Sequence, residues 1–256
     1  MVLLLFVDFD PDLAALRPLG GFFVLRTAGA ALRPLPTLAQ AYGEPPSDAS
    51  LSDPQGSPLG FRVRKVAHAL RAPEPRIAAS VAQQGLAARL WSVTLGCAVL
   101  YGRVPDLDPR LLRWDPDGSA PDDLWLTELH PMPADPAIIA DVVLHAHLEP
   151  LTAALHTRYR VAAGLLWGNA GSALAGAARQ LDQWARAAGR TDAAARTRAL
   201  TAELFGHSLL AGTGTLTGTA FRRRSCCLYY RVPGGGVCGD CCFTRAPRSS
   251  PHATSG

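Results

Sequence analysis

Residues 75–91 have the sequence PRIAASVAQQGLAARLW, and this stretch decides the fold class of the chain. It opens with a proline, whose fixed φ suits the first turn of a helix and whose missing N–H is not needed there. Small and apolar residues then recur at three- and four-residue spacing, the period of a helix with one buried face. The stretch therefore predicts a long helix.

Three more helices are predicted downstream from the same spacing. They cover residues 137–157, with a kink or split at Pro150, residues 160–187, with an interruption or bend near residues 168–171, and residues 193–209. The chain is therefore expected to be mainly helical.

Strands are expected to be few and short. Residues 111–114 and 124–129 flank the turn sequence Asp115-Pro116-Asp117-Gly118 and predict a β-hairpin. Near the N-terminus, apolar runs at residues 2–7 and 22–25 predict two strands on either side of a short helix.

Two internal segments are predicted to be loops from their small, polar and proline residues. Residues 35–58 form a surface loop after a short helix at residues 38–42, and residues 211–219 form a glycine–threonine linker. The fold class that follows is α+β, a mainly helical body with a few short strands and a C-terminal cysteine-rich module.

This layout predicts three regions along the chain. The body covers residues 1–220, the cysteine-rich module covers residues 221–243, and a disordered tail covers residues 244–256.

Composition limits the kind of partner. The chain has 256 residues, 48% of them apolar, and a net charge of +4 in which Lys65 is the single lysine. The many scattered arginines are typical of a gene with GC-rich codons and do not indicate a phosphate-binding surface. No nucleic-acid partner is therefore expected. The apolar runs at residues 1–7, 95–101 and 138–144 fall far short of the about 20 residues that span a bilayer. A soluble, cytoplasmic protein without a membrane span is the expectation.

The cysteines carry the main functional signal. Five of the six lie within 17 residues, at Cys226, Cys227, Cys238, Cys241 and Cys242. A chain of this length can bury a large core without disulfides, and in a reducing cytosol grouped cysteines favour metal binding. The sixth, Cys97, lies in an apolar run and is interpreted as a small buried hydrophobe.

The spacing of these cysteines is Cys-Cys, ten residues, Cys-x-x-Cys. Cys238 and Cys241 can turn toward one site, and Pro233 with the three glycines that follow it lets the chain reverse and return. Neighbouring side chains on an extended chain point to opposite faces, so the vicinal pair suits a wide cluster better than a single small ion. From spacing alone, zinc and an iron–sulfur cluster both remain open, as do reactive or structural thiols.

The module resembles the C-terminal signature of the FhuF-like ferric siderophore reductases, a family of [2Fe–2S] proteins. The resemblance includes the flanks Arg223-Arg224-Ser225 and Leu228-Tyr229-Tyr230-Arg231. Residues 78–91 and 166–173 are similar to body segments of actinobacterial-type members, so the resemblance covers about residues 60–243. Cys242 departs from it, because an apolar residue is expected there.

The resemblance implies a one-electron reduction of a ferric siderophore, of hydroxamate type, with release of ferrous iron. Hard oxygen ligands hold ferric iron far more tightly than ferrous iron, so one electron releases the metal. The implied ligands of the [2Fe–2S] cluster are Cys226, Cys227, Cys238 and Cys241. A ferredoxin- or flavin-type donor is implied as the partner.

The resemblance also implies roles for side chains around the cluster. A positive field from arginines would tune its potential, and aromatic residues would form walls of the substrate surface. The arginines are Arg222, Arg223, Arg224 and Arg231, and the aromatic residues are Tyr229, Tyr230 and Trp167.

Two other functions compete with this interpretation. One is a zinc-ribbon-like module that binds nucleic acid or protein, and the other is a cluster-bearing electron carrier or sensor. Ser80 and Ser172, in alanine-rich helical sequence, are interpreted as small packing residues. His145 and His147 are not predicted to bind metal, because residues two apart on a helix face different directions.

Overall fold

The computed structural model describes residues 8–27, 34–43 and 57–247. The helices and strands within them fall into separate runs along the chain, an α+β arrangement, as the sequence predicts. The helices are α1 (Leu38–Tyr42), α2 (Pro58–Leu70), α3 (Pro75–Leu100), α4 (Pro136–Ala140), α5 (Glu149–Tyr159), α6 (Ala163–Ala187) and α7 (Thr191–Phe205), with 3-10 turns at Ala14–Leu19 and Tyr229–Arg231 and a π-helix at Asp141–Leu148. The strands are β1 (Arg26–Thr27), β2 (Arg103–Pro105), β3 (Leu112–Trp114), β4 (Leu124–Leu126), β5 (Pro131–Pro133), β6 (Gly214–Thr217) and β7 (Ala220–Arg223).

Helix α3, the first one predicted from the sequence, is the centre of the body. It is 26 residues long and its side chains are buried almost without exception from Leu86 onward. Helix α6 packs along it, and α2, α7 and the N-terminal 3-10 turn cover its other sides. At Gly96 the packing is so close that a Cβ would come within 2.8 Å of the Leu16 side chain. A helix apolar on all sides belongs in the middle of a core, and α3 is there.

Arg89 fixes the N-terminal segment to α3. Its guanidinium is 2% exposed, pairs with Asp123 at 2.9 Å and donates to the carbonyls of Phe22 and Val24. Burial lowers its pKa, and the charge of Asp123 opposes that shift. A buried guanidinium needs these hydrogen-bond and charge partners, because burying it without them would reduce the stability of the fold by several kcal/mol.

The strands form three small sheets among the described residues. In the first, β1 runs parallel to β4 with Arg26 opposite Trp125, and β3 pairs antiparallel with β4. The β3–β4 pair is the hairpin predicted at residues 111–129. The second sheet pairs β2 with β5, and the third pairs β6 with β7.

The N-terminal predictions are confirmed only in part. The short helix is present as the 3-10 turn Ala14–Leu19, whereas the strand expected at residues 22–25 forms later, at Arg26–Thr27. The strand predicted at residues 2–7 lies outside the described residues, as does most of the loop predicted at residues 35–58.

The sequence predicts an interruption or bend near residues 168–171, and the predicted interruption is wrong. Helix α6 runs without interruption through both Gly168 and Gly171. The glycines serve close packing, because a Cβ would lie 2.2 Å from Ser225 Oγ at Gly168 and 2.8 Å from Thr213 Oγ1 at Gly171. A glycine costs a helix only about 1 kcal/mol, so the helix tolerates both.

The linker predicted at residues 211–219 is also wrong in part, because residues 214–217 form β6. Strand β6 pairs antiparallel with β7 from Gly214 opposite Arg223 to Thr217 opposite Ala220. Gly214 is needed for this pairing, since a Cβ there would lie 2.4 Å from the Phe221 ring. Strand β7 crosses the predicted boundary between residues 220 and 221, and the three predicted regions remain predictions.

The helix predicted at residues 137–157 is a continuous run from Pro136 to Tyr159. The split predicted at Pro150 is wrong, because Pro150 lies in the first turn of α5 within this run. The run is irregular before it, in the π-helix, which ends with the Glu149 N–H bonded to the Leu144 carbonyl. Among the described residues this is the one helical run long and apolar enough to cross a membrane, with mean hydropathy 1.3 over 18 residues. In that window 61% of the residues are buried inside the protein, as in a core helix.

Candidate metal centre

The five clustered cysteines follow directly after β7. Cys226 and Cys227 come at the end of the strand, and Leu228 has φ +69°, which turns the chain into the 3-10 turn Tyr229–Arg231. The chain then returns to a second turn in which the Cys241 N–H bonds to the Cys238 carbonyl at 3.0 Å. The glycine-rich reversal predicted from the spacer is therefore present.

Small polar residues of the body hold the first cysteine pair. Ser80 on α3 donates from Oγ to the Cys227 carbonyl at 2.9 Å. Asn169 on α6 donates from Nδ2 to Ser80 Oγ at 3.0 Å and to the Ser80 carbonyl at 2.9 Å. All three residues are buried. Helices α3 and α6 therefore fix the backbone of Cys227 directly.

The second cysteine pair is held through Asp240. Its carboxylate accepts from Ser172 Oγ of α6 at 2.6 Å and pairs with Arg179 at 3.5 Å. Its carbonyl accepts from the Arg223 N–H of β7 at 2.9 Å. The Cys-x-x-Cys turn is thus joined both to α6 and to the strand that precedes the first pair.

The roles of Ser80, Ser172 and Asn169 were missed by sequence reasoning. Ser80 and Ser172 were interpreted as packing residues, yet each donates a hydrogen bond to the cysteine-bearing chain. The signal that could have found them is a hydroxyl or amide in the buried face of an otherwise alanine-rich helix, since a buried polar group needs a partner.

The thiols meet in pairs. The S–H of Cys238 donates to the Cys227 sulfur, and a second thiol hydrogen bond joins Cys241 to Cys242. Cys226 lies within electrostatic reach of Cys227, Cys241 and Cys242. Among the residues that the structure describes, no three Cys, His, Asp or Glu side chains converge closely enough to hold one metal ion.

Thiol donors suit a binuclear cluster. Each iron of a four-cysteine [2Fe–2S] cluster takes two thiolates, whereas a structural zinc ion needs all four around a single centre. The five thiols, which include the predicted ligands Cys226, Cys227, Cys238 and Cys241, interact with one another but do not converge on one point. The donor set therefore fits the iron–sulfur cofactor.

The pKa values of these thiols depend on their neighbours. The hydrogen bond from Cys238 lowers the pKa of Cys227 to about 6, against the opposing effect of burial. The same hydrogen bond, with burial, raises the pKa of Cys238, and burial raises the pKa of Cys226 to about 11. Cys227 and Cys238 share one proton, because two thiolates side by side repel each other. Several thiolates can therefore lie together only with a positively charged group among them.

Donors to sulfur surround the site. The Leu228 N–H donates to Cys226 Sγ at 3.3 Å, and the Phe243 N–H donates to Cys241 Sγ at 3.4 Å. Hydrogen bonds of this kind stabilise thiolates and modulate the potential of an iron–sulfur centre. Cys227 is 3% exposed and the other four cysteines are half-buried, so the site lies at the edge of the molecule.

The predicted aromatic walls divide between two places. Tyr229 is exposed beside Cys227, and the half-buried Tyr230 packs edge-on against Phe243 at 6.0 Å. Trp167 lines a separate cavity of about 460 Å³ between α5 and α6. It is joined to the cysteine module only through its neighbour Gly168, which contacts Ser225.

The type of donor and its position thus fit a metalloprotein in which a helical body carries a group of cysteines at its edge. Comparison with protein families agrees. Residues 83–213 match the family described as ferric iron reductase FhuF-like transporter, and residues 223–243 match the FhuF 2Fe-2S C-terminal domain. No curated protein matches the chain.

The chain belongs to the FhuF-like family, since the larger match covers half of it. Its cofactor is a [2Fe–2S] cluster. The larger match is to a family described by ferric iron reduction, and the smaller match is to the domain that holds the cofactor.

Proposed function

We propose that the protein reduces the ferric iron of a hydroxamate-type siderophore to ferrous iron, which then leaves the chelate in the cytoplasm. The observation that carries the proposal is the cysteine group held at the molecular edge by α3 and α6, in a chain whose two family matches concern ferric iron reduction and a [2Fe–2S] domain. The cluster supplies one electron at a time, which is the stoichiometry of the Fe³⁺ to Fe²⁺ step.

The residues of the chain have positioning roles in this reaction. Cys226, Cys227, Cys238 and Cys241 hold the cluster. The surrounding surface is accessible and partly apolar, because Tyr229 is 37% exposed, Val237 41% and Phe243 37%. A bulky chelate can approach such a surface without entering a deep pocket. No side chain has to transfer a proton for the iron to change its oxidation state.

The same surface supports a protein electron donor of ferredoxin or flavin type. Arg222, Arg224 and Arg245 are exposed, and Arg222 donates to the carbonyl of Cys242, the residue before the exposed Phe243, at 3.4 Å. A positive rim attracts an acidic carrier and accelerates encounter at low salt. All six cysteines are free thiols, which supports a reducing, cytoplasmic location.

The proposal is tested with the anaerobically reduced holoprotein. Adding ferric trihydroxamate should restore the visible absorption of the oxidised cluster, with one Fe²⁺ captured by a ferrous-specific chelator for each cluster reoxidised. A reduced cluster that ferric chelates leave unchanged would indicate an electron carrier or sensor instead. A colourless protein with one zinc ion per chain would indicate an interaction module.

The ligand set makes a separate prediction. Replacing Cys226, Cys227, Cys238 or Cys241 by Ser should remove most of the iron and inorganic sulfide, because an alcohol does not replace a thiolate on iron. Iron, sulfide and the visible spectrum of the purified variants are the measurements.

Cys242→Ser is the matched control for that series. Cys242 belongs to the same group and its thiol hydrogen-bonds to Cys241, but the other four cysteines already supply the full ligand set. We expect Cys242→Ser to keep its cluster. Loss of cluster in Cys242→Ser, with retention in one of the other four, would overturn the assignment.

A further inference from the structure

Four arginines flank the cysteine group, and one of them, Arg223, differs from the others because it is buried. Arg222 on β7 and Arg224 just after the strand are exposed, and Arg231 pairs with Glu74 at 2.7 Å. Arg223 is 2% exposed and, among the described residues, forms no ion pair with a carboxylate. A buried guanidinium without a counter-charge costs several kcal/mol, so this one needs an anion from elsewhere.

The hydrogen bonds of Arg223 hold its side chain in one place. Nη2 donates to Asn169 Oδ1 at 2.6 Å and to the Leu165 carbonyl at 3.3 Å, and Nε donates to the Ser225 carbonyl at 3.1 Å. Nη1 is buried and has no hydrogen-bond partner within the described part of the chain. One donor of a fixed cation is therefore left free.

The backbone around Arg223 belongs to the cysteine group. The Arg223 N–H donates to the carbonyl of Asp240, which lies between Cys238 and Cys241, and Nε donates to the carbonyl of Ser225, which precedes Cys226. Asn169 joins Arg223 to the Cys227 backbone through Ser80. The arginine, the amide and the first cysteine pair thus form one hydrogen-bonded unit.

We propose that Arg223 is the buried counter-charge of the cluster, with Nη1 as a donor to its sulfur and Asn169 as the residue that positions it. The inference rests on the cluster part of the proposed function and is independent of the iron substrate. Reduction adds one negative charge to the cluster, and a cation in a low-dielectric surrounding stabilises that charge more than the exposed Arg222 and Arg224 can. Arg223 therefore raises the reduction potential.

The first test measures the midpoint potential of the purified holoprotein without siderophore. Arg223→Gln removes the charge and keeps polar atoms of similar reach, and it should lower the potential by about 60 mV, a tenfold change in the one-electron equilibrium. Arg223→Lys keeps the charge and should recover most of that shift. Arg224→Gln is the matched control on the adjacent, exposed position, and its potential should equal that of the wild type.

Two results would overturn the proposal. One is an Arg223→Gln potential equal to that of Arg224→Gln, and the other is an Arg223→Lys potential that falls as far as the Gln variant. A purely structural role for Arg223 predicts no such dependence on charge.

A second measurement covers the case in which the variants lose the cluster. Wild-type holoprotein is prepared with arginine labelled with ¹⁵N at its two Nη atoms, and the reduced cluster is examined by pulsed EPR. The proposal requires a ¹⁵N hyperfine coupling that persists in Arg224→Gln. Absence of any arginine coupling in the labelled wild type contradicts it. Because neither experiment contains a siderophore, failure of the reductase assay and failure of this inference are separate outcomes.

Discussion

At the scale of single residues, Gly168 determines whether the cysteine module can sit on the body. A Cβ at this position would lie 2.2 Å from Ser225 Oγ and 3.2 Å from Arg223 Nη2. Gly168→Ala should therefore displace the strand end that carries Cys226, despite the better helix propensity of alanine. Overpacking of this kind costs about 1–3 kcal/mol. Urea unfolding and the iron content of the purified variant measure the effect.

Two further variants make that prediction specific. Gly176→Ala lies on the same helix where nothing is within 4 Å of the added Cβ, so it should stabilise the protein by about 0.5–1 kcal/mol. Ser225→Ala in the Gly168→Ala background removes the clashing oxygen and should restore most of the lost stability. If Gly168→Ala behaves like Gly176→Ala, the close approach is not what selects glycine here.

At the scale of elements, the π-helix Asp141–Leu148 brings His147 into the core. His147 is fully buried, its Nε2–H donates to the Leu107 carbonyl at 2.6 Å, and its Nδ1 accepts from the Tyr42 hydroxyl at 2.9 Å. In the neutral form of His147, each ring nitrogen therefore has a hydrogen-bond partner. Burial lowers the pKa of His147 to about 4 from the 6.5 of a free side chain.

This histidine gives the fold an acid sensitivity of known direction. Between pH 6.5 and 4 the unfolded chain binds the proton that the folded chain refuses, so the stabilisation is complete above pH 6.5 and is lost as the pH falls toward 4. The contribution lost between pH 7.5 and pH 5.0 is about 2 kcal/mol. Urea unfolding at both pH values should show this decrease in the wild type and a correspondingly smaller one in His147→Gln, with cluster absorbance recorded in parallel. Equal decreases in the two proteins would contradict the assignment.

Some elements of this fold are predictable from sequence periodicity and others are not. Helices α3 and α6 and the β3–β4 hairpin were predictable because their burial patterns repeat locally in the sequence. Strand β6 was not, since its short run of threonine and glycine becomes a strand only when the Phe221 ring packs over Gly214. The glycines of α6 mislead a sequence reading for a related reason, because the residues that require them, Ser225 for Gly168 and Thr213 for Gly171, lie far away in sequence.

At the scale of the whole molecule, the candidate site was predictable from cysteine spacing, but its attachment to the body was not. The five thiols are near one another in sequence, so local chain reversal is enough to group them. Ser80, Asn169 and Asp240 come from three distant segments. The hydrogen bonds between Asn169 and Ser80 and between Ser172 and Asp240 form only once α3, α6 and the cysteine module have packed together. Contacts of that kind are fixed by tertiary structure and leave little trace in a single sequence.

The two parts of the molecule differ in what stabilises them. The body has a continuous core that includes α3 and α6, whereas residues 224–247 contain one 3-10 turn and only two buried residues, Cys227 and Val232. A segment with so little apolar burial depends on its metal for order. Removing the cluster should therefore loosen the module and leave the body folded.

Limited trypsin digestion of the holoprotein and the cluster-free protein measures this difference. Arg224 and Arg231 lie within the module, and Arg76 and Arg89 lie on α3. We expect removal of the cluster to increase cleavage after Arg224 and Arg231 at least tenfold, while the helical circular dichroism and the resistance of α3 stay as in the holoprotein. Cleavage that starts within α3, or a loss of helix on cluster removal, would show that body and module fold as one cooperative unit, because the hydrogen bonds of Ser80, Asn169 and Asp240 would then transmit the loss of the cluster into the core.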